Sequence, residues 1–130
     1  VNKRLIEELI PIAIEKLESG TVGIVRDNKI PKTFNGYIAS FAASVVQAGL
    51  RQSVFFYSEA KRATKEERCK ITVLIYEVLG DKGLIDKNRY ESLSSYVNDT
   101  AVDQVKAKGY ILDAAAACKM AIRSFELTES

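Results

Sequence analysis

"TFNGYIASFAASVVQAGL", Thr33 to Leu50, is eighteen residues without a charge in a chain whose residues are 28% charged. A membrane span needs about twenty mostly apolar residues. This stretch is shorter, and it carries Thr33, Asn35, Ser40, Ser44 and Gln47 besides two glycines. At helical period, Gly36, Ser40, Ser44 and Ala48 recur every four residues as a stripe of small side chains, while Ile38, Phe41, Val45 and Val46 supply bulk elsewhere. The expectation is a helix packed on more than one side, with Ser40 and Ser44 read as core in preference to partner surface. Gly49 is placed to stop it in the left-handed conformation.

Working outward, the same period recurs on both sides. Leu5, Ile6, Leu9, Ile12, Ala13 and Leu17 share one side of a helix from about Asn2 to Glu18, capped by Asn2, ended by Gly20 and bent by Pro11. "TVGIVRDNKIPK" breaks the pattern and reads as a loop, with a small hairpin at Asp27-Asn28 as the alternative. "LRQSVFFYSEAK" holds strand-favouring residues but lacks alternation and a partner strand, so a helix is expected. Lys65 to Leu79 should bury Ile71, Leu74, Ile75 and Val78, pair Glu66 with Lys70, and stop at Gly80. A loop, "GDKGLIDKN", leads to a short helix over Lys87 to Val97. The last helix should start near Asp99 or Thr100, with Thr100 and Asp103 as its capping box. It carries the seam Ile111, Ala115, Cys118, Ile122 and Phe125. The fold class is all-α, a compact single-domain bundle of about six helices over residues 1–130.

Composition narrows the function. There is no histidine, so histidine-based catalysis is excluded, and two separated cysteines suggest neither a zinc site nor a disulfide framework. Cys118 lies in an apolar seam and reads as a buried structural thiol, while Cys69, between Arg68 and Lys70, reads as an ordinary surface or half-buried one. Glu7-Glu8 and Glu66-Glu67 are sequence neighbours pointing about 100° apart on helices, which suits solvated faces rather than an acid/base pair. No phosphate-cradling glycine loop is present. The expectation is a protein that is not an enzyme, with no cofactor, metal or small-molecule substrate. The N-terminal "VNKRLIEELIPIAIEKLESG" alternates charge with apolar groups and has no signal-peptide core, so a cytoplasmic location is expected, with no membrane association.

Charge is distributed unevenly. From Arg26 to Lys70, nine Lys and Arg stand against four Asp and Glu, giving +5, while the remainder carries ten against thirteen, or −3. Lys61, Lys65 and Arg68 stand at i, i+4 and i+7, with Arg62 and Arg51 nearby and Lys32 before the uncharged stretch. Such a face attracts phosphate without reading sequence, and it suits an acidic protein surface equally.

The residues "IPKTFNGYIASFAASVVQAGLRQSVFFYSEAK" resemble the signature region of the small helical subunit of type III-B CRISPR effector complexes, the Cmr small subunit. The match consists of an aromatic, Phe34, before a small-residue-rich helix, then the Gln47-x-Gly49-Leu50 turn, then an apolar-aromatic helix ending near Lys61. The family's closing helix often carries a tryptophan followed by Lys-Arg-Phe. This chain has no tryptophan, and Lys119, Arg123 and Phe125 are an approximate counterpart. The resemblance implies an all-α, noncatalytic subunit that stacks head to tail with further copies of itself beside the backbone and large subunits, near guide RNA and target RNA. On that reading Arg51, Lys61, Arg62, Lys65, Arg68 and Lys32 are the nucleic-acid-binding candidates. The alternative is a helical protein-interaction adaptor or homo-oligomeric scaffold with no nucleic-acid role.

Overall fold

The computed structural model describes residues 1–59 and 63–129, with the side chains of 63–66 outside that set. Among the described residues the chain forms six helices and two three-residue strands. Helix α1 spans Lys3–Glu18, and the Asn2 side chain caps it by accepting from the Leu5 N–H at 3.0 Å. Leu5, Leu9, Ala13 and Leu17 are its buried stripe. The helix continues through Pro11, which is exposed, as is Glu7, whose carbonyl loses its usual donor there.

The segment read as a loop contains more order than expected. Asp27 and Asn28 take φ of 54° and 63°, the two positive values of a type I′ turn, and Arg26 and Lys29 exchange backbone hydrogen bonds of 2.7 and 3.0 Å across it. Strand β1, Lys29–Pro31, then pairs in parallel with β2, Glu126–Thr128, with Ile30 opposite Leu127. This corrects two expectations: the loop holds a strand, and the last helix ends before Phe125.

Helix α2, Thr33–Ala48, is the uncharged stretch. Its buried residues are Phe34, Ile38, Phe41 and Val45, all on one side. Gly36, Ser40 and Ala48 are exposed and Ser44 is half-buried against Ser53, so the small stripe lies largely outside the core, which corrects the reading of Ser40 as core, while the helix itself packs on α3, α4 and α6. The physical reason is area: the large apolar seam removes far more surface from water than the small stripe does. Gly49 adopts φ 105° and ψ 158°, an extended positive-φ conformation rather than the left-handed helical one. It breaks the helix while letting α3, Leu50–Ser58, start at the next residue.

Helix α4, Ala63–Lys82, begins earlier and ends later than expected, because Gly80 lies within it. The stop is Gly83, φ 86°, in a Schellman arrangement: the Leu84 N–H donates to Leu79 and the Gly83 N–H to Gly80. Ile71, Leu74, Ile75 and Val78 are buried as anticipated, and Lys70 pairs with Glu67 at 3.4 Å, while the Glu66 side chain expected to pair with Lys70 lies outside the described residues. Helix α5 is only Leu93–Asn98, since Ser92 and Ser95 form its capping box. Helix α6, Gln104–Arg123, is capped by Asp103, whose side chain accepts from the N–H groups of Val105 and Lys106. Asp103 is thus the cap itself, in place of Thr100. The helix passes through Gly109 unbroken and packs on α1, α2 and α4, burying Ile111, Ala115, Cys118 and Ile122 at the centre of the core. Among the described residues, no helix is long and apolar enough to cross a membrane.

Candidate nucleic-acid interface

Helix α3 carries one charge, Arg51, and no acid. Its buried side is Leu50, Ser53, Val54 and Tyr57, packed against α2, α4 and α5. Ser53 reaches α2 through a 2.6 Å hydroxyl contact with Ser44. Period then dictates the outward side: Arg51, Gln52, Phe55 and Phe56.

Arg51 is exposed, yet it is held. Its Nε donates to the Val97 carbonyl at 3.0 Å, one of the carbonyls that the C-terminus of α5 leaves without a helical partner. Gln104 Nε2 donates to the same oxygen at 3.1 Å, so the α3, α5 and α6 ends are tied at one point. The rest of the guanidinium opens on a shallow groove of about 420 Å³ lined by Gln52, Gln104, Val105 and Lys108. Lys108 lies 57 positions from Arg51 in sequence and is joined to it only by the fold. No local sequence signal marks it.

Arg68 is placed differently. Its guanidinium carbon stands 4.1 Å from the Phe56 ring centroid and 5.3 Å from that of Tyr57. Nε and Nη2 are buried with no hydrogen-bond partner among the described residues. Those two nitrogens are spent on aromatic faces and cannot form a bidentate grip on phosphate. Burial pushes the Tyr57 hydroxyl above its ordinary pKa, with a Ser40 hydrogen bond opposing the shift.

Lys32 sits at the other end of α2, about 25 Å from Arg51 by helix length. It is engaged at 2.6 Å with Glu129. Lys61 and Arg62 lie outside the described residues, as does the side chain of Lys65. The fold therefore brings Arg51 together with Lys108, keeps Arg68 on the far side of the α3 aromatics, and separates Lys32.

Pairing decides how much of the positive middle segment remains available. Arg26 contacts Glu67 at 2.7 Å, Lys29 contacts Glu126 at 3.5 Å, and Lys70 shares Glu67. The Glu67 carboxyl is held below its ordinary pKa: burial pushes it up, and the Arg26 hydrogen bond with the Lys70 and Arg26 charges outweighs that. Arg51 and Arg68 are in no ion pair among the described residues. On the far side of the molecule Lys16 and Lys87 are absorbed by Glu77 and Asp81, with Lys16 2.9 Å from Asp81. Cys118 is fully buried and its thiol pKa is pushed well up by that burial, which leaves it inert as a nucleophile.

The outward side of α2, with Gly36, Ser40, Ala43 and an exposed Val46, has no charge, and the neighbouring α6 exposes Val105 and Met120 beside Lys108 and Arg123.

The model of the family described as CRISPR-associated protein (Cas_Cmr5) matches residues 13–121, from the middle of α1 almost to the end of α6. No curated protein and no solved structure matches the chain. The matched span includes the α2–Gly49–α3 turn and Arg51 at the start of α3. The chain belongs to the CRISPR-associated Cas_Cmr5 family, the small subunits of type III-B Cmr complexes.

Proposed function

We propose that the protein is a noncatalytic small subunit that works in the cytoplasm, stacks beside the guide-RNA-bearing backbone of its complex and helps hold target RNA. The observation that carries this reading is Arg51: a guanidinium fixed at Nε by the Val97 carbonyl, unopposed by any acid among the described residues, and open beside Lys108. A cation positioned in this way attracts a phosphate oxygen without selecting sequence. Lys61, Arg62 and Lys65 follow α3 in sequence and extend the same charge, and repeated copies along one strand would add their weak contacts. The test is charge reversal at Arg51, Lys61 and Lys65 together in the reconstituted complex. The expected result is loss of target capture at moderate salt, and unchanged capture would end the RNA role.

The uncharged outward side of α2 favours a second reading, an adaptor that contacts only protein. Small exposed side chains there permit close approach of another backbone, and Val46 is 61% exposed. A pull-down treated with nuclease separates the two. Recovery of an RNA-bearing assembly supports the first reading, and recovery of protein partners without RNA supports the second.

A further inference from the structure

Phe55 and Phe56 are 63% and 48% exposed on consecutive positions of α3. Two adjacent rings left in water on an otherwise amphipathic helix need a reason, because the inward side of the same helix is filled by Leu50, Val54 and Tyr57. Their surroundings supply one. Arg51 precedes Phe55 by one helical turn, which puts the two on the same strip of surface. Arg68 lies 4.1 Å over the Phe56 ring and fixes it, aided by an edge contact with Tyr57 at 5.6 Å. The strip thus reads cation, ring, ring, cation, with no acid on the helix.

This is how proteins hold single-stranded nucleic acid without sequence preference: cations take the phosphates, and an aromatic face takes a base. An acidic protein strand would satisfy Arg51 but leave the rings with nothing flat to lie on. A nucleotide brings both the negative charge and the planar π face. Resting on the RNA reading above, we infer that Phe55 is a base-stacking platform for an unpaired nucleotide of single-stranded RNA, with Phe56, clamped by Arg68, as its wall and Arg51 as the phosphate contact. Phe55 is in no ring pair or cation contact among the described residues, so its replacement leaves the core untouched.

The test compares the unaltered chain with Phe55→Ala and Phe55→Trp at low salt. The ligands are a single-stranded RNA oligomer, an abasic strand of equal length and charge, and a polyglutamate peptide. Because the chain has no tryptophan, Phe55→Trp introduces a lone indole at the site, which can be excited selectively over the tyrosines. Phe55→Ala is expected to weaken binding of the base-bearing RNA about tenfold and to leave the abasic strand unchanged. Emission of Phe55→Trp is expected to be quenched by the base-bearing strand alone. Equal effects of Phe55→Ala on both strands, or no effect on either, would overturn the stacking role while phosphate binding stands. Binding of neither strand would overturn the RNA reading and the platform with it. Polyglutamate binding as tight as RNA and equally dependent on Phe55 would assign the strip to an acidic protein.

Discussion

Arg51 Nε donates to the Val97 carbonyl at 3.0 Å, and this one bond makes the exposed cation of α3 a fastening for the C-terminus of α5 as well. A structural role and the proposed binding role therefore meet in a single side chain, and two substitutions separate them. Arg51→Ala removes both, with a stability cost of about 1 kcal/mol, since Gln104 still serves the Val97 oxygen. Arg51→Lys keeps the charge without the planar fork. Thermal melts of the two variants are expected to fall together. RNA affinity and its salt dependence are expected to fall mainly for Arg51→Ala, with the slope reduced by about one. Equal RNA loss in both would mean that geometry, rather than charge, is what Arg51 contributes.

Two glycines are expected to respond in opposite directions to alanine. Gly49 has φ 105°, and a Cβ there would lie 2.7 Å from Gln52 Oε1. Gly49→Ala should cost about 1–3 kcal/mol through backbone strain at the α2–α3 junction. Gly109 lies inside α6 with open space where its Cβ would stand. Gly109→Ala should stabilise the protein by about 0.5–1 kcal/mol through the cost that glycine imposes on a helix interior. Chemical denaturation of both variants checks the pair, and a destabilised Gly109→Ala would place an unseen contact at that position.

The helices were legible because their apolar residues repeat at 3 and 4 over several turns: the seams of α1, α4 and α6 bury the residues that period selects. The two strands were not, because three residues at 29–31 find their partner at 126–128 and nothing local announces a pairing so distant. The stripe of Gly36, Ser40, Ser44 and Ala48 misled for another reason. Its spacing is as regular as that of Phe34, Ile38, Phe41 and Val45, and only the area each buries decides which side turns inward. At the candidate interface, charge in sequence singled out Arg51 and Arg68 but could not show that Phe56 occupies the guanidinium of Arg68. Nor could it show that Lys108 stands beside Arg51.

Acid should loosen two fastenings at once. Glu67 is held below its ordinary pKa because the Arg26 and Lys70 contacts outweigh burial. Asp99 is held down by the Tyr90 hydroxyl at 2.6 Å and the Ala101 N–H at 2.9 Å. In both cases the unfolded chain takes up the proton more readily than the folded one. The stability each contributes is full above the ordinary carboxylate pKa of about 4 and is lost as pH falls from there through the depressed folded value. Melting temperature should therefore begin to fall as pH drops through about 4 and go on falling below it. A Glu67→Gln, Asp99→Asn double variant should start lower at neutral pH and fall less steeply over that window. Parallel curves would mean that neither contact contributes to stability.

Cys118 tests whether α6 is as central as its packing indicates. Its side chain is fully buried between apolar neighbours, and that burial pushes the thiol pKa up, so almost no thiolate exists in the folded protein. In a Cys69→Ser background, a disulfide reagent at mildly alkaline pH should label Cys118 only as fast as the whole molecule opens, and added denaturant should raise labelling and unfolding rates in step. Cys118→Ser should cost about 1–3 kcal/mol by stranding a hydroxyl without a partner. Rapid labelling without denaturant would mean that the C-terminal half of α6 opens on its own, and the two-stranded pairing of 29–31 with 126–128 would then have to open with it, because β2 follows α6 by only two residues.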